Sequence, residues 1–153
     1  MPKYILDTCV DIEPTQSNFP KYFFADLHAN TRVKLVFGGT TAINEVRKKA
    51  KLRELLNNLR DRNQLITVCT EKVDTAEATI EERIKDIIGQ TPPECDDLHV
   101  FALAKVSGCL NVITRDNRMA ACRKNIRSRI GHEYCPDIIV IQNENVYKRT
   151  KQD

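Results

Sequence analysis

Apolar and polar positions along this chain fall into blocks of two kinds, short β-prone runs and longer stretches with apolar residues at helical spacing. Residues 3–6 ("KYIL") form the first short run, and it stops at Asp7, a residue type depleted in strands and common where a strand gives way to a loop. "VKLVF" repeats the pattern at 33–37 and is closed by Gly38 and Gly39, while "LITVCT" (65–70), "CLNVIT" (109–114) and "DIIVIQ" (137–142) supply three more candidate strands. The intervening stretches read as helices. "FPKYFFADLHANT" supplies one, and a second starts at Thr40 or Thr41 and carries Ile43, Val46, Ala50, Leu55 and Leu59 at helical spacing, with Arg47, Lys48, Lys49, Lys51 and Arg53 on its other faces. A charged helix over 71–89 ends at Gly89, and "TPPE" then breaks the chain. From Asp96 or Asp97 to about Ser107 hardly a polar face remains, which predicts a buried helix ended by Gly108; a basic helix follows over 117–130.

Strands alternating with helices predict an α/β domain. Parallel strands need crossovers and helices provide them, so the expected architecture is a three-layer sandwich around a mainly parallel sheet of about five strands. The pattern gives a single domain over 1–147 and a charged C-terminal tail over 148–153, with no internal repeat.

Composition narrows the function classes. The chain has 153 residues, 41% of them hydrophobic, enough for one core. Lys and Arg number 24 against 21 Asp and Glu, a formal charge of +3 that permits nucleic-acid binding without arguing for it. No apolar run approaches the roughly 18 to 20 residues of a membrane span, and the N-terminal run is too short for a secretory signal. The six cysteines include no Cys-x-x-Cys pair and several sit in apolar runs, so they read as small buried thiols of a reducing compartment. A soluble cytoplasmic protein is expected.

The chemistry lies in four acids. Asp7 and Asp116 follow the first and fourth strand candidates, so both fall on the carboxyl edge of a parallel sheet, where ligands of such folds bind. Asp97 lies in the first turn of the buried helix and Glu45 in the first turns of an earlier one. Carboxylates that converge repel one another, and a divalent cation is the natural counter-charge. Mg²⁺ or Mn²⁺ suits an oxygen-rich set; zinc favours Cys and His, and the only histidines are His28, His99 and His132. His132 and Cys135 could chelate by spacing but read better as a surface loop.

The segments "YILDTCVD", "LVFGGTTAINEV", "DDLHVFALAKVSG" and "LNVITRDNR", in this order, resemble the PIN-domain family of metal-dependent nucleases. The resemblance covers most of the chain. It implies a catalytic, metal-binding set of Asp7, Glu45, Asp97 and, in the context "TRD", Asp116. Two neighbouring acids compete for these places: Asp96 precedes Asp97, and Asp11 follows Asp7 by four. Placing Asp97 in the motif puts positions 100, 101 and 104 on its helical face and leaves Asp96 as the helix cap. Thr8, Asp96, Thr114 and Asn117 are candidate supporting residues: the threonine hydroxyls could face a metal or phosphate, and the Asn117 amide a metal-bound water. Lys48, Lys49, Arg115 and Arg118 are the candidate nucleic-acid contacts, with an ordinary solvated basic face as the alternative.

The resemblance further implies an endoribonuclease that hydrolyses RNA phosphodiester bonds with Mg²⁺ or Mn²⁺, and a role as the toxin of a toxin–antitoxin pair. An antitoxin protein and a homo-oligomer are then the expected protein partners. A non-catalytic PIN-like RNA-binding or assembly module is the alternative. A haloacid-dehalogenase-type phosphatase needs Asp-x-Asp after the first strand, whereas Cys9 stands two residues after Asp7, and no Walker loop is present.

Overall fold

The computed structural model describes residues 2–8, 10 and 19–151; Cys9 and Asp11 lie outside them. Five strands, β1 (Lys3–Leu6), β2 (Lys34–Phe37), β3 (Leu65–Thr67), β4 (Asn111–Ile113) and β5 (Ile139–Ile141), form one sheet in the order β3-β2-β1-β4-β5, every pair parallel. Seven helices connect and cover them: α1 (Lys21–Ala29), α2 (Thr40–Arg47), α3 (Ala50–Asp61), α4 (Thr70–Ile88), α5 (Leu98–Ser107), α6 (Asn117–Ile130) and α7 (Glu144–Lys151). The expected α/β architecture, a parallel five-stranded sheet between helical layers, is the one found.

The period of two along each strand divides the core into two layers. Ile5, Val36 and Val112 face a cluster with Ile80 and Ile84 of α4, Phe101 of α5 and Ile126 of α6. Their strand neighbours Tyr4, Leu35 and Ile113 face the other side, with Phe23 of α1, Leu56 of α3 and Tyr147 of α7. Because both faces are covered, the central strands read as nearly continuous apolar runs instead of alternating ones.

Three expectations change. The helix expected from Thr40 through Leu59 is two: α2 ends at Arg47 and α3 begins at Ala50, with Lys49 extended between them (φ −124°, ψ 98°). Residues 148–151, expected in a charged tail, continue α7; its Tyr147 is fully buried, with a hydroxyl donating to Asp26 Oδ2 at 2.5 Å, and Thr150 meets the Tyr4 hydroxyl at 2.8 Å. Last, the cysteines are not all free thiols. Cys95 and Cys122 form a disulfide that ties the segment before α5 to the buried face of α6, whereas Cys69, Cys109 and Cys135 are free. The two half-cystines are 27 residues apart in sequence, so their pairing has no local signature and depends on the tertiary fold bringing the segment before α5 to α6.

No helix among the described residues is long and apolar enough to cross a membrane.

Candidate metal centre

The sheet order defines where a site can form. From β1 the chain proceeds to β2 and β3 on one side, and β4 and β5 lie on the other, so the carboxyl ends of β1 and β4 flank the topological switch point. Asp7 follows β1 there and is 2% exposed. Its backbone N–H donates to Ile113 O at 2.8 Å, and its Oδ2 accepts from the Thr114 hydroxyl at 2.7 Å. Thr114 Oγ1 in turn accepts from the Asp116 backbone N–H at 2.9 Å. One buried hydroxyl therefore fixes both acids that follow the central strands.

Glu45 arrives on α2, whose start is held from outside. Gly39, at φ +98°, leaves no room for a Cβ, which would lie 2.7 Å from Val73 Cγ1 of α4. Asp74 of α4 accepts from the Thr40 backbone N–H at 2.9 Å and from its hydroxyl at 2.5 Å, capping α2 from another helix. These hydrogen bonds hold the Asp74 carboxyl below its ordinary pKa. Glu45 Oε2 accepts from the Thr8 hydroxyl, and Lys49 Nζ donates to the Thr8 carbonyl. Asp7, Thr8, Glu45, Lys48, Lys49 and Asp97 line one cavity of about 220 Å³.

Asp97 stands at the crossing point. One ligand atom from each of Glu45, Asp97 and His99 lies within 4.8 Å of the others, and the same holds for Asp96, Asp97 and Asp116. Burial, then the charge of Asp7, pushes the Asp97 carboxyl up from 3.8 to about 6; Asp96 and Glu45 add to the rise and His99 opposes it. A carboxyl displaced in this direction is short of positive charge. An all-oxygen set with one adjacent imidazole fits a hard or borderline divalent ion, so the donor chemistry agrees with Mg²⁺ or Mn²⁺.

The structure thus brings Asp7, Glu45 and Asp97 around one cavity and Asp116 against Asp97 from the α6 side. It redistributes the supporting residues. The N-cap position of α5 is Asp97 and not Asp96, and Asp97 makes no capping hydrogen bond. Asp96, expected as that cap, instead meets Arg118 Nη2 at 2.9 Å. Arg118 also lies 3.3 Å from Asp116 Oδ1 through Nε, and its backbone N–H is capped by the same oxygen at 2.9 Å. Asp116 is therefore both the N-cap of α6 and a member of an acid triad. The Asn117 side chain accepts from Gln142 at 2.8 Å. Arg115 is exposed, as is Lys48; Lys49 is half-buried. Farther along α6, Arg123 and Arg127 pair with Asp137 at 3.4 and 3.1 Å, and His132 meets Arg127 Nη2 at 3.1 Å.

Sequence reasoning left two groups out of this arrangement. His99 is the one strongly polar side chain in the apolar face-less stretch 98–104, a signal visible in the sequence. Glu77 of α4 has a carboxyl pushed up by burial, with the charge of His99 opposing the rise. It stands 20 residues before Asp97 in the sequence and no local pattern links them.

No protein-family model matches the chain. No curated protein matches it either. Among solved structures, a chain in the crystal structure of VapBC2 from Rickettsia felis bound to a DNA fragment from their promoter is similar, with a TM-score of 0.49 and 14% sequence identity over 91% of this chain and 97% of that chain.

Proposed function

We propose that this chain is a metal-dependent endoribonuclease of the PIN type, using Mg²⁺ or Mn²⁺ held by Asp7, Glu45, Asp97 and Asp116. The observation that carries the reading is the shared position of Asp97, a carboxyl pushed up to about 6 at the junction of two acid triads on the carboxyl edge of the sheet. A divalent ion at such a junction supplies an activated water and neutralises charge on a phosphodiester. The residues of the chain do the rest. Thr114 and Thr8 hold Asp7 and Glu45 in place by hydrogen bonds, so those carboxylates are positioned before substrate arrives. Lys48 and Lys49, on the same cavity, supply positive charge for the RNA backbone, and exposed Arg115 extends it. No side-chain nucleophile is needed.

RNA as the substrate and a toxin role with an antitoxin protein as partner follow from the resemblance in the four motif segments. A second reading, a non-catalytic RNA-binding or assembly module, is favoured by one observation: Arg118 already neutralises Asp96 and Asp116. Incubating the chain with mixed RNA and single-stranded DNA in Mg²⁺, Mn²⁺ or EDTA separates the two. Metal-dependent RNA cleavage supports the nuclease; RNA binding without cleavage in either metal supports the module.

A further inference from the structure

The set of four carboxylates leaves one buried polar side chain unused. His99 is 4% exposed in α5, where Leu98, Val100, Phe101, Ala102, Leu103 and Ala104 are also buried. Neither ring nitrogen of His99 has a hydrogen bond among the described residues; Nε2 instead lies 4.0 Å from Glu45 Oε2. That separation is too long for a hydrogen bond. It suits two donors on one ion, since donors each about 2.1 Å from a metal sit about 3 to 4 Å apart. Asp97 completes the group, with all three ligand atoms within 4.8 Å.

The alternative triad differs in its electrostatics. Asp96 and Asp116 are both engaged by the Arg118 guanidinium, at 2.9 and 3.3 Å. That half of the groove carries its own counter-charge. The half formed by Glu45, Asp97 and His99 offers two carboxylates and an imidazole nitrogen; the Thr8 hydroxyl donates to Glu45 Oε2, and Lys49 Nζ donates to the Thr8 carbonyl.

The geometry points to His99 Nε2 as a metal ligand, sharing one divalent ion with Glu45 and Asp97, so that the centre selects a first-row transition ion such as Mn²⁺ over Mg²⁺. The inference rests on the reading of this groove as a metal centre. Its chemical basis is that Mg²⁺ takes oxygen donors and keeps several waters, whereas imidazole suits transition metals. An all-carboxylate centre has no such bias built in.

Two measurements on the full chain test it. Mn²⁺ and Mg²⁺ are titrated calorimetrically into metal-free wild type, His99→Gln and His99→Leu, and the Mn²⁺-loaded wild type is examined by pulsed electron paramagnetic resonance for imidazole nitrogen coupling. The expected result is nitrogen coupling in the wild type, Mn²⁺ bound at least about tenfold more tightly than Mg²⁺, and a loss of about tenfold or more in Mn²⁺ affinity in the variants with Mg²⁺ affinity little changed. Absence of nitrogen coupling, or an equal loss for both ions, overturns the assignment. If the variants fail to fold, the wild-type spectrum alone decides. RNA cleavage without nitrogen coupling removes His99 and leaves the nuclease reading standing; nitrogen coupling without cleavage does the reverse.

Discussion

The Thr114 hydroxyl donates to Asp7 Oδ2 at 2.7 Å, joining residues 107 positions apart at the carboxyl ends of the two central strands. The bond is buried, and through its second contact, with the Asp116 N–H, it ties the fourth strand's exit to the first. Replacing the hydroxyl while keeping the shape leaves a buried carboxylate oxygen without that donor. Thr114→Val is therefore expected to lower unfolding free energy by about 1 to 3 kcal/mol in urea melts and to weaken Mn²⁺ binding. Thr114→Ser is expected to recover most of both. A Val variant as stable as wild type contradicts the role given to the hydroxyl.

Asp97 gives a pH dependence with a definite sign. Its folded pKa is raised from 3.8 to about 6, so the folded protein binds this proton more tightly than the unfolded chain. The contribution favours folding at low pH and is lost as pH rises from about 4 to about 6. In metal-free buffer, Asp97→Asn is expected to gain on wild type across that window, read as the difference in urea midpoints at each pH. Saturating Mn²⁺ reverses the order at neutral pH, stabilising wild type and not the variant. A midpoint difference that is flat with pH, in the absence of metal, contradicts the electrostatic account of this residue.

Asp74 anchors α2 and therefore Glu45. Because it accepts two hydrogen bonds from Thr40, Asp74→Ala is expected to cost about 1 kcal/mol, the ordinary loss for a helix cap. Metal affinity should fall with it, since Glu45 rides on the helix that loses its cap. Asp74→Asn, which keeps an acceptor, is the control, and calorimetry with Mn²⁺ is the readout.

The Cys95–Cys122 disulfide closes a loop across 27 residues beside the Asp96–Asp97 segment. Chain-entropy arguments put its contribution at about 3 to 4 kcal/mol. Reduction, or the double substitution Cys95→Ser with Cys122→Ser, is expected to lower the urea midpoint accordingly. Equal midpoints in oxidised and reduced protein contradict this.

Much of the fold was legible because the local signals agreed with the tertiary arrangement. Tyr4 and Ile5, Leu35 and Val36, and Val112 and Ile113 are buried on both faces of the sheet, so their apolar runs stood out, and Gly89 and Gly108 mark helix ends as expected. The break between α2 and α3 was not legible: Lys48 and Lys49 are good helix formers, and no glycine or proline marks the stop. The carboxylates after strands were readable from topology, since the end of a parallel strand has one address. What Arg118 does was not, because its partner Asp96 reaches it from the segment before α5. The same is true of the disulfide and of the Asp74 cap, which join elements by long-range packing. His99 is visible as the imidazole in an apolar helix, but its neighbour Glu45 lies on a different helix.

Asp97 is proposed to belong to a metal centre that cleaves RNA. The most direct measurement is single-turnover cleavage of end-labelled RNA by wild type and Asp97→Asn in Mn²⁺ and in EDTA, with folding of both checked by circular dichroism. Cleavage by wild type in Mn²⁺, none in EDTA, and a loss of at least about a hundredfold in the folded variant is the predicted result, the scale expected when a group stabilising the transition state is removed. Cleavage that persists in EDTA, or a folded Asp97→Asn that cleaves as fast as wild type, would contradict it.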